Sequence, residues 1–396
     1  MQLPEEFIRE TRLVMGDDRL NRFMEAFNEE APTSIRVNPT KHSIADGEKV
    51  PWCQEGYYLE GRPQFTFDPL FHAGCYYVQE AASMFVTHVL RTFLSSLHSP
   101  LNVLDMCAAP GGKSTAARSV LPEGSLLVSN EPVPTRAQIL LENITKWGAP
   151  NCIVTNNYPR DFRKAKARFD VIICDVPCSG EGMFRKDPAT IGEWSLQNVE
   201  KCWRLQREIV ADAWECLNPG GIMIYSTCTF NTKENEENVR WMMEELGAEI
   251  LEMPTQPEWN ITGSLLEGFN APVYRFIPGI TRSEGLFLAV LRKKNVTEGT
   301  GPIVTFQRLK VLKADLPEGE FPKVELTYQE ALKYLRGEAL VLPPDTPKGF
   351  VTVTYKGAPL GPVKNIGNRA NNLYPKPWRI KTTHLPSEEI KIINIQ

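Results

Sequence analysis

Short apolar runs alternate with amphipathic segments through the middle of the chain. The runs LNVLDM, SLLVSNE, NCIVTNN, FDVIICDVP and GIMIYST are nearly continuous in apolar residues, which favours parallel strands covered on both faces. The segments between them, TAARSVL, TRAQILLENITKW and WRLQREIVADAWECL, repeat apolar residues at helical spacing. This alternation predicts a doubly wound α/β domain over residues 71–295, with AEILEMP and EGLFLAVLRKK as two further strands.

The two ends of the chain follow other patterns. Residues 1–70 hold two amphipathic segments, LPEEFIRETRLVM and DRLNRFMEAFNEE, and then the strand-like SIRVNP, which together predict a small N-terminal α+β domain. After Lys294 the segment NVTEGTGP is typical of a linker. Residues 296–396 contain short β-like runs broken by Pro and Gly, and predict a mainly β C-terminal domain with a core at about residues 328–381.

Composition and charge narrow the class of protein. The chain has 396 residues, of which 42% are hydrophobic, so it can bury the cores of two or three domains. No apolar run approaches the ~20 residues that cross a bilayer, and the first ten residues do not resemble a signal peptide. We therefore expect a cytoplasmic protein with no membrane partner. The net charge is −4, but residues 300–396 carry 14 Lys and Arg against 9 Asp and Glu, a footprint that suits a polyanion.

The nine cysteines all lie between Cys53 and Cys228, and none forms a CxxC pair. The five histidines have no ligand spacing, so no metal site is expected. Five cysteines in or beside apolar runs are interpreted as buried, reduced thiols: Cys75, Cys107, Cys152, Cys174 and Cys216.

The first predicted strand ends at Asp105 and breaks into the glycine-rich turn CAAPGGKST. Such a turn lets the backbone approach a ligand at the start of a helix. A phosphate-binding loop would need glycine at position 107, and Cys107 in that place counts against it. From this segment alone, binding of a nucleoside triphosphate and a purely structural turn both stay open as alternatives. Glu131, at the end of the second strand, can accept hydrogen bonds from the ribose hydroxyls of an adenosine-containing ligand.

Two cysteines follow the fourth and fifth strands. Cys178 lies in DVPCSGEGMFRKDP, just after Asp175, and Cys228 lies in STCT. In the strand order 3-2-1-4-5 these strands are neighbours, so both thiols would face one cleft beside the glycine turn. Asp175 is placed to hold a nucleobase by its edge, and Arg185 and Lys186 are candidates for phosphate contacts.

These motifs carry a family resemblance. VLDMCAAPGGK, SNE, DVPCSGEGMFRKDP and GGIMIYSTCT, together with SIRVNP and YYVQEAASM, resemble the RNA cytosine-5 methyltransferases that use S-adenosylmethionine, over nearly all of residues 33–295. The segments YLRGEALVLP and GFVTVTYKGAPLGPVKNIGNRANNLYPKPWRI resemble the PUA-like RNA-binding module of the RsmF/YebU-like branch, which modifies 16S ribosomal RNA. The resemblance implies a Rossmann-like catalytic domain, S-adenosylmethionine as cofactor and ribosomal RNA as partner.

The resemblance also implies roles for individual residues. Carbon 5 of cytosine is a poor nucleophile until a thiolate adds at carbon 6, and the chemistry alone does not say which thiol attacks. The family implies Cys228 as nucleophile, Cys178 as the thiol that assists release, and Lys113 near both cofactor and base. The implied cofactor-binding residues are Cys107, Ala108, Ala109, Pro110, Gly111, Gly112, Lys113, Glu131, Asn157 and Asp175.

Some assignments stay open at this point. Relatives often carry an Asp for the adenine amino group after the third strand, where this chain reads NNYPRDF, so Asn157 or Asp161 takes that place. In the C-terminal domain the expected RNA contacts are Lys364, Arg369, Trp378 and Arg379. We expect a monomer that methylates cytidine in ribosomal RNA. The alternatives are the same chemistry on transfer RNA, a P-loop NTPase and a non-catalytic RNA-binding scaffold.

Overall fold

The computed structural model describes residues 3–41, 43–94, 100–294, 306–382 and 384–395. The predicted linker NVTEGTGP, residues 295–302, lies outside these ranges. Within them, no helix combines the length and apolar character needed to cross a membrane.

The N-terminal region begins with the two predicted amphipathic helices, which meet at a kink. Their joint span is α1 (Glu5–Glu25), and Gly16, with a φ of 71° and a ψ of 172°, interrupts the helical backbone between them. The buried side chains of α1 pack against Phe184 and Trp194, which follow the 3₁₀ turns Glu181–Met183 and Pro188–Glu193. A small antiparallel sheet follows, in the order β3-β1-β4. The elements are β1 (Thr33–Val37), β2 (Ser43–Ala45), β3 (Gly56–Leu59), α2 (Pro69–His72) and β4 (Tyr76–Val78).

The central domain is a parallel sheet with helices on both faces, and its strand order is the predicted one. Strands β5 to β9 are arranged β9-β8-β5-β6-β7, all parallel, which is 3-2-1-4-5 when they are counted along the chain. The elements are α3 (Phe85–Leu94), β5 (Asn102–Asp105), α4 (Gly112–Arg118), β6 (Leu126–Asn130), α5 (Pro134–Trp147), β7 (Cys152–Thr155), α6 (Pro159–Lys164), β8 (Phe169–Asp175), α7 (Leu196–Cys216) and β9 (Leu217–Thr227).

The edge of the sheet beyond β9 is antiparallel. Strand β12 (Leu286–Arg292) pairs with β9, and both β10 (Glu249–Leu251) and β11 (Tyr274–Phe276) pair with β12. Helix α8 (Glu236–Glu245) connects β9 to β10. Strands β10 and β12 are the two that the sequence predicts, whereas β11 was not expected. The parallel order of β5 to β9, with helices on both faces of the sheet, confirms the doubly wound α/β class.

The C-terminal region forms a four-stranded sheet in the order β14-β15-β16-β17. A two-residue strand precedes it and adds to the free edge of the central sheet beside β7. The elements are β13 (Val311–Leu312), β14 (Lys323–Glu325), α9 (Tyr328–Leu335), β15 (Gly349–Tyr355), β16 (Ala358–Asn365), β17 (Ala370–Asn372) and β18 (Ile393–Ile395).

The two ends of the chain share one apolar core. Val351 and Val363 of the C-terminal sheet belong to the same buried cluster as Ile35 and Val37 of β1. Strand β18 also pairs antiparallel with β2. The C-terminal module is thus packed on the N-terminal sheet, a contact that the sequence does not predict.

Candidate active site

Four strands deliver polar side chains to one edge of the central sheet. Asp105 ends β5, Glu131 follows β6, Asp175 ends β8 and Cys228 follows β9. Because these strands are parallel neighbours, their carboxyl ends open into a common cleft, the usual ligand site of an open α/β sheet.

Cys178 and Cys228 face each other across the tips of β8 and β9. Their sulfurs are 3.3 Å apart, a hydrogen-bond contact between two free thiols that are both half-buried. The hydrogen bond to Cys228, together with burial, raises the pKa of Cys178 well above that of an ordinary thiol. Cys178 therefore keeps its proton at neutral pH and can act as a donor to Cys228.

Lys113 and Asp175 form an ion pair beside the thiols. The Nζ atom of Lys113 lies 2.8 Å from Oδ2 of Asp175, and the hydroxyl of Ser226 donates to Oδ1 at 2.7 Å. Burial alone would lower the pKa of Lys113, but the attraction and hydrogen bond of Asp175 outweigh it and raise the pKa. The ammonium group is thus permanently charged and holds the carboxylate of Asp175 in place.

The glycine turn is held from both sides. Gly111 has a φ of 114°, which a side chain would strain, and Gly112 begins α4. The fully buried guanidinium of Arg36 donates to Oγ1 of Thr115 at 2.6 Å, so the N-terminal sheet fixes the start of this helix. Arg136 of α5 donates to the carbonyl of Ala109 at 3.0 Å. The protein therefore contacts the turn from both the N-terminal sheet and α5.

The other residues of the glycine turn are buried or are hydrogen-bonded through the backbone. Cys107, Ala108 and Ala109 are buried, and Asn143 of α5 donates to the carbonyl of Pro110 at 2.8 Å. Burial raises the pKa of Cys107 well above its ordinary value, so this thiol is not a nucleophile.

Two buried carboxylate oxygens on this side of the cleft have no hydrogen-bond partner within the described ranges: Oδ1 of Asp105 and Oε2 of Glu131. The nearest cation to Glu131, Nη1 of Arg136, lies 3.6 Å from Oε2. Burial, reinforced by the charges of Asp175 and Glu131, raises the pKa of Asp105 to about 7. Unsatisfied buried acceptors are costly, so these atoms point to a ligand that donates hydrogen bonds.

This cleft fits an adenosyl ligand with a cationic methionine tail. Glu131 meets the requirement for an acceptor of ribose hydroxyls, and Asp105 offers a carboxylate to a cationic group. Sequence reasoning treated Asp105 only as the end of a strand, although a carboxylate at the tip of a buried strand is a signal for a site.

Asn157 and Asp161 both lie beyond β7. The side-chain amide of Asn157 forms two hydrogen bonds with the backbone of Lys310, which precedes β13: Nδ2 donates to the carbonyl at 3.2 Å and Oδ1 accepts from the amide at 2.9 Å. Asp161 accepts from the backbone amide of Tyr158 at 2.9 Å and caps α6. Which of the two contacts adenine stays a prediction.

Arg185 forms an ion pair inside the protein. Its Nη2 atom lies 2.6 Å from Oε1 of Glu284, and Nη1 donates to the carbonyl of Ala26 at 2.8 Å, with both charged side chains less than a tenth exposed. This placement favours a structural role over the expected phosphate contact. Lys186, by contrast, is exposed.

The four expected RNA contacts in the C-terminal module differ in accessibility. Lys364 and Arg369 are exposed on and beside β16. Trp378 is half-buried, with its ring 5.9 Å from that of Tyr374, and Arg379 donates to the carbonyl of Tyr374 at 3.2 Å. Only Lys364 and Arg369 therefore present their charges freely to a polyanion.

Below the cysteines lies a polar layer that sequence reasoning missed. Its carboxylates are Glu181, three residues after Cys178, and Glu234, six residues after Cys228, and both are buried. The only signal in the sequence is an acidic residue close behind each cysteine. Within the described ranges, no group of three or more His, Cys, Asp or Glu residues is arranged to hold a metal ion.

Family models match three consecutive parts of the chain. Residues 94–292 match the model described as 16S rRNA methyltransferase RsmB/F, residues 3–81 match the N-terminal domain of 16S rRNA methyltransferase RsmF, and residues 321–380 match the methyltransferase RsmF PUA domain.

Similar proteins and structures agree with these matches. A ribosomal RNA small subunit methyltransferase F from Cronobacter sakazakii is 32% identical over 93% of this chain and 81% of its own length. The Serratia proteamaculans protein of the same name is 33% identical over 74% of this chain, which spans 63% of that relative's length. Among solved structures, a methyltransferase homologue from Pyrococcus horikoshii is 25% identical, with a TM-score of 0.62 over 73% of this chain and 95% of its own.

Proposed function

Because this chain belongs to the RsmB/F family of 16S rRNA methyltransferases, we propose that it methylates carbon 5 of a cytidine in 16S ribosomal RNA, with S-adenosylmethionine as methyl donor. The observation that carries this proposal is the thiol pair Cys178 and Cys228, 3.3 Å apart, beside the ion pair of Lys113 and Asp175. Two thiols next to a charged base-holding group suit covalent activation of a pyrimidine ring.

In the first step the thiolate of Cys228 adds to carbon 6 of cytosine, which makes carbon 5 an enamine carbon and hence nucleophilic. As the bond to sulfur forms, ring nitrogen 3 takes up a proton from water, and the carboxylate of Asp175 accepts a hydrogen bond from that N–H and stabilises it. Lys113 and Ser226 both contact Asp175, at 2.8 and 2.7 Å, so the carboxylate needs no rearrangement when the base arrives.

Release of the product uses the second thiol. After methylation, carbon 5 gives its proton to water and the bond between Cys228 and carbon 6 breaks, which restores the aromatic ring and releases the proton on nitrogen 3. Cys178 remains protonated because its pKa is raised, and its sulfur lies 3.3 Å from the departing one. It can therefore donate a hydrogen bond to the departing thiolate of Cys228, which disfavours renewed addition of that thiolate to the ring.

The cofactor side of the cleft consists of the glycine turn, Glu131 and Asp105. S-adenosylmethionine, when bound there, supplies an electrophilic methyl group. Gly111 and Gly112 allow close approach of the backbone, Glu131 accepts from the ribose hydroxyls, and Asp105 faces the cationic part of the ligand. Asn157, tied to Lys310, shapes the adenine end of this cleft.

The C-terminal module is proposed to hold RNA without chemistry of its own. It contains no cysteine, it carries the basic excess of the chain, and Lys364 and Arg369 are exposed. Replacing both by alanine should weaken RNA binding and lower the slope of log affinity against log salt by about 2, since each cation neutralises one phosphate. An unchanged salt slope would exclude these contacts. The monomeric state and cytoplasmic location of the protein remain predictions.

The direct test measures transfer of a labelled methyl group from S-adenosylmethionine to 16S ribosomal RNA that lacks modification. Bisulfite sequencing then shows whether the product is 5-methylcytidine. Transfer RNA serves as the substrate control, and ATP hydrolysis measured in parallel tests the P-loop alternative. Labelled product in 16S RNA that bisulfite treatment converts like unmodified cytidine would contradict carbon 5 as the acceptor.

A further inference from the structure

Glu181 and Glu234 lie directly beneath the two cysteine loops. Both are buried, with 3% and 0% of their surfaces exposed. Neither forms a salt bridge with a cation in the described parts of the chain. Two carboxylates buried so close together are costly, and burial raises the pKa of Glu234 to about 7.

Each carboxylate binds the backbone of the opposite loop. Oε2 of Glu181, from the loop of Cys178, accepts from the amides of Phe230 and Asn231 at 2.7 and 3.1 Å. Oε2 of Glu234, from the loop of Cys228, accepts from the amide of Ser179 at 3.0 Å. Each loop therefore supplies a carboxylate that accepts from the backbone of the other loop. The donating amides lie one residue after Cys178 and two and three residues after Cys228.

One side chain joins the two carboxylates. Nδ2 of Asn231 lies 3.0 Å from Oε1 of Glu181 and 2.8 Å from Oε1 of Glu234. The remaining partners are Nε1 of Trp194 on Glu181, at 2.9 Å, and Nε2 of Gln206 on Glu234, at 2.7 Å. Every side-chain partner of the two carboxylates is thus a donor. If either Glu were replaced by Gln, the NH₂ group of the new amide would face one of these donors and could not accept a hydrogen bond.

From this exchange we propose that Glu181 and Glu234 form a reciprocal clamp that positions Cys178 and Cys228 against each other. The assignment of the two sulfurs to attack and release rests on the proposed function, whereas the clamp itself rests on the contacts alone. Glu181 and Glu234 are positioning residues in this proposal, because they act through the loops and touch neither sulfur.

The first test measures the distance between the sulfurs without RNA or cofactor. Diamide oxidises two neighbouring thiols to a disulfide and takes up their two hydrogens, and the rate for Cys178 with Cys228 is followed by mass spectrometry of the cross-linked peptide. Glu181→Gln and Glu234→Gln keep the size of the side chain but replace one acceptor oxygen by an NH₂ donor. We expect each to slow this cross-link by at least about tenfold, since the rate follows how closely the two groups are held.

The matched control is Asp68→Asn. Asp68 is buried in the N-terminal region, where it accepts from the backbone amide of Leu70 at 2.9 Å, so the variant loses the same kind of contact away from the thiols. Its cross-linking rate should equal that of the wild type even if its melting temperature falls. Cross-linking at the wild-type rate in both clamp variants would overturn the proposal.

A second measurement separates the clamp from the proposed function. With RNA and cofactor, the clamp variants should lose turnover in proportion to their loss of cross-linking. Slow cross-linking together with a wild-type protein that methylates no RNA would uphold the clamp and refute the proposed function. If a glutamine variant does not fold, Asn231→Ala removes the bridging donor and leaves both carboxylates intact, and its cross-linking rate decides in the same way.

Discussion

The two sides of the cleft use buried carboxylates in opposite ways. On the cofactor side, Oδ1 of Asp105 and Oε2 of Glu131 are buried and lack hydrogen bonds within the described ranges. On the thiol side, all four oxygens of Glu181 and Glu234 accept hydrogen bonds from the protein itself. The acceptors on the cofactor side are available to a ligand. The acceptors on the thiol side are already satisfied and hold the two cysteine loops in place.

This contrast has an energetic consequence. An unsatisfied buried acceptor costs about 1–3 kcal/mol, which the folded protein recovers only when a ligand donates the missing hydrogen bond. The satisfied carboxylates on the thiol side bring no such gain on binding, but they remove the need to reorganise the thiols during reaction. The predictions below act on one side at a time and are ordered from the largest expected effect on methyl transfer to the smallest.

Replacing Cys228, the proposed nucleophile, should have the largest effect. Cys228→Ala is expected to lower methyl transfer by at least about 1,000-fold, because no other group can activate carbon 5, while binding of S-adenosylmethionine is unchanged. Turnover is measured with labelled cofactor and binding by calorimetry. Cys202→Ala, which removes a half-buried thiol of α7, is the control and should remain active. Residual turnover of several per cent would place the nucleophile elsewhere.

Cys178→Ala should block release instead of attack. Without the protonated thiol 3.3 Å away, the bond between Cys228 and the base is expected to persist, so that a covalent protein–RNA adduct survives denaturation. The adduct is measured as a shifted band on a denaturing gel. The double variant with Cys228→Ala should lack it. A band from Cys228→Ala alone, with none from Cys178→Ala, would reverse the two roles.

Removing the acceptor on the cofactor side should weaken ligand binding only. Glu131→Ala is expected to reduce affinity for S-adenosylmethionine by ~1–3 kcal/mol, the usual cost of losing one partner of a charge-assisted hydrogen bond. RNA affinity and the cross-linking rate of the two thiols should not change. Glu123→Ala, an exposed glutamate before β6, is the matched control for calorimetry. Equal cofactor affinity in both variants would remove Glu131 from the site.

Asp105→Asn should stabilise the protein while it weakens the site. The pKa of Asp105 is raised to about 7 in the folded state, so the folded protein holds a proton that the unfolded chain has lost above pH 4. The free energy of unfolding of the wild type therefore falls as pH rises towards 7, by up to about 4 kcal/mol for this group. The variant avoids this loss.

The test compares melting temperatures of the cofactor-free proteins at pH 5 and pH 8. The advantage of Asp105→Asn over the wild type should be larger at pH 8, and calorimetry should show weaker binding of S-adenosylmethionine. An equal advantage at both pH values would mean that Asp105 does not titrate in this range.

Much of the catalytic domain follows from the sequence. Strands β5 to β9 are short apolar runs because both faces of the sheet are covered, and the alternation of strand and helix identifies the doubly wound class. The closeness of Cys178 and Cys228 was predicted on the strand order 3-2-1-4-5 assumed for that class, and it holds because β8 and β9 are adjacent and parallel. The apolar pattern gives the class, whereas the order itself is seen only in the folded sheet.

Other contacts depend on residues far apart in the chain. Arg185 was expected to face RNA, but its guanidinium lies against Glu284, 99 positions away. The pairing of Asn157 with Lys310 and that of β18 with β2 join segments whose local sequences give no sign of each other. Pattern analysis identifies which side chains are polar, but it does not identify the partner each one meets.

The sequence by itself determined the class of sheet and the residue types at its carboxyl edge, because burial on two faces and tight turns leave a local signature. Only the tertiary structure decided which carboxylates remain free for a ligand and which hold the thiols. Asp105 and Glu181 are both single acidic residues near a strand end in the sequence. What separates them is the set of donors that the folded chain brings within about 3 Å, a property of packing rather than of local sequence.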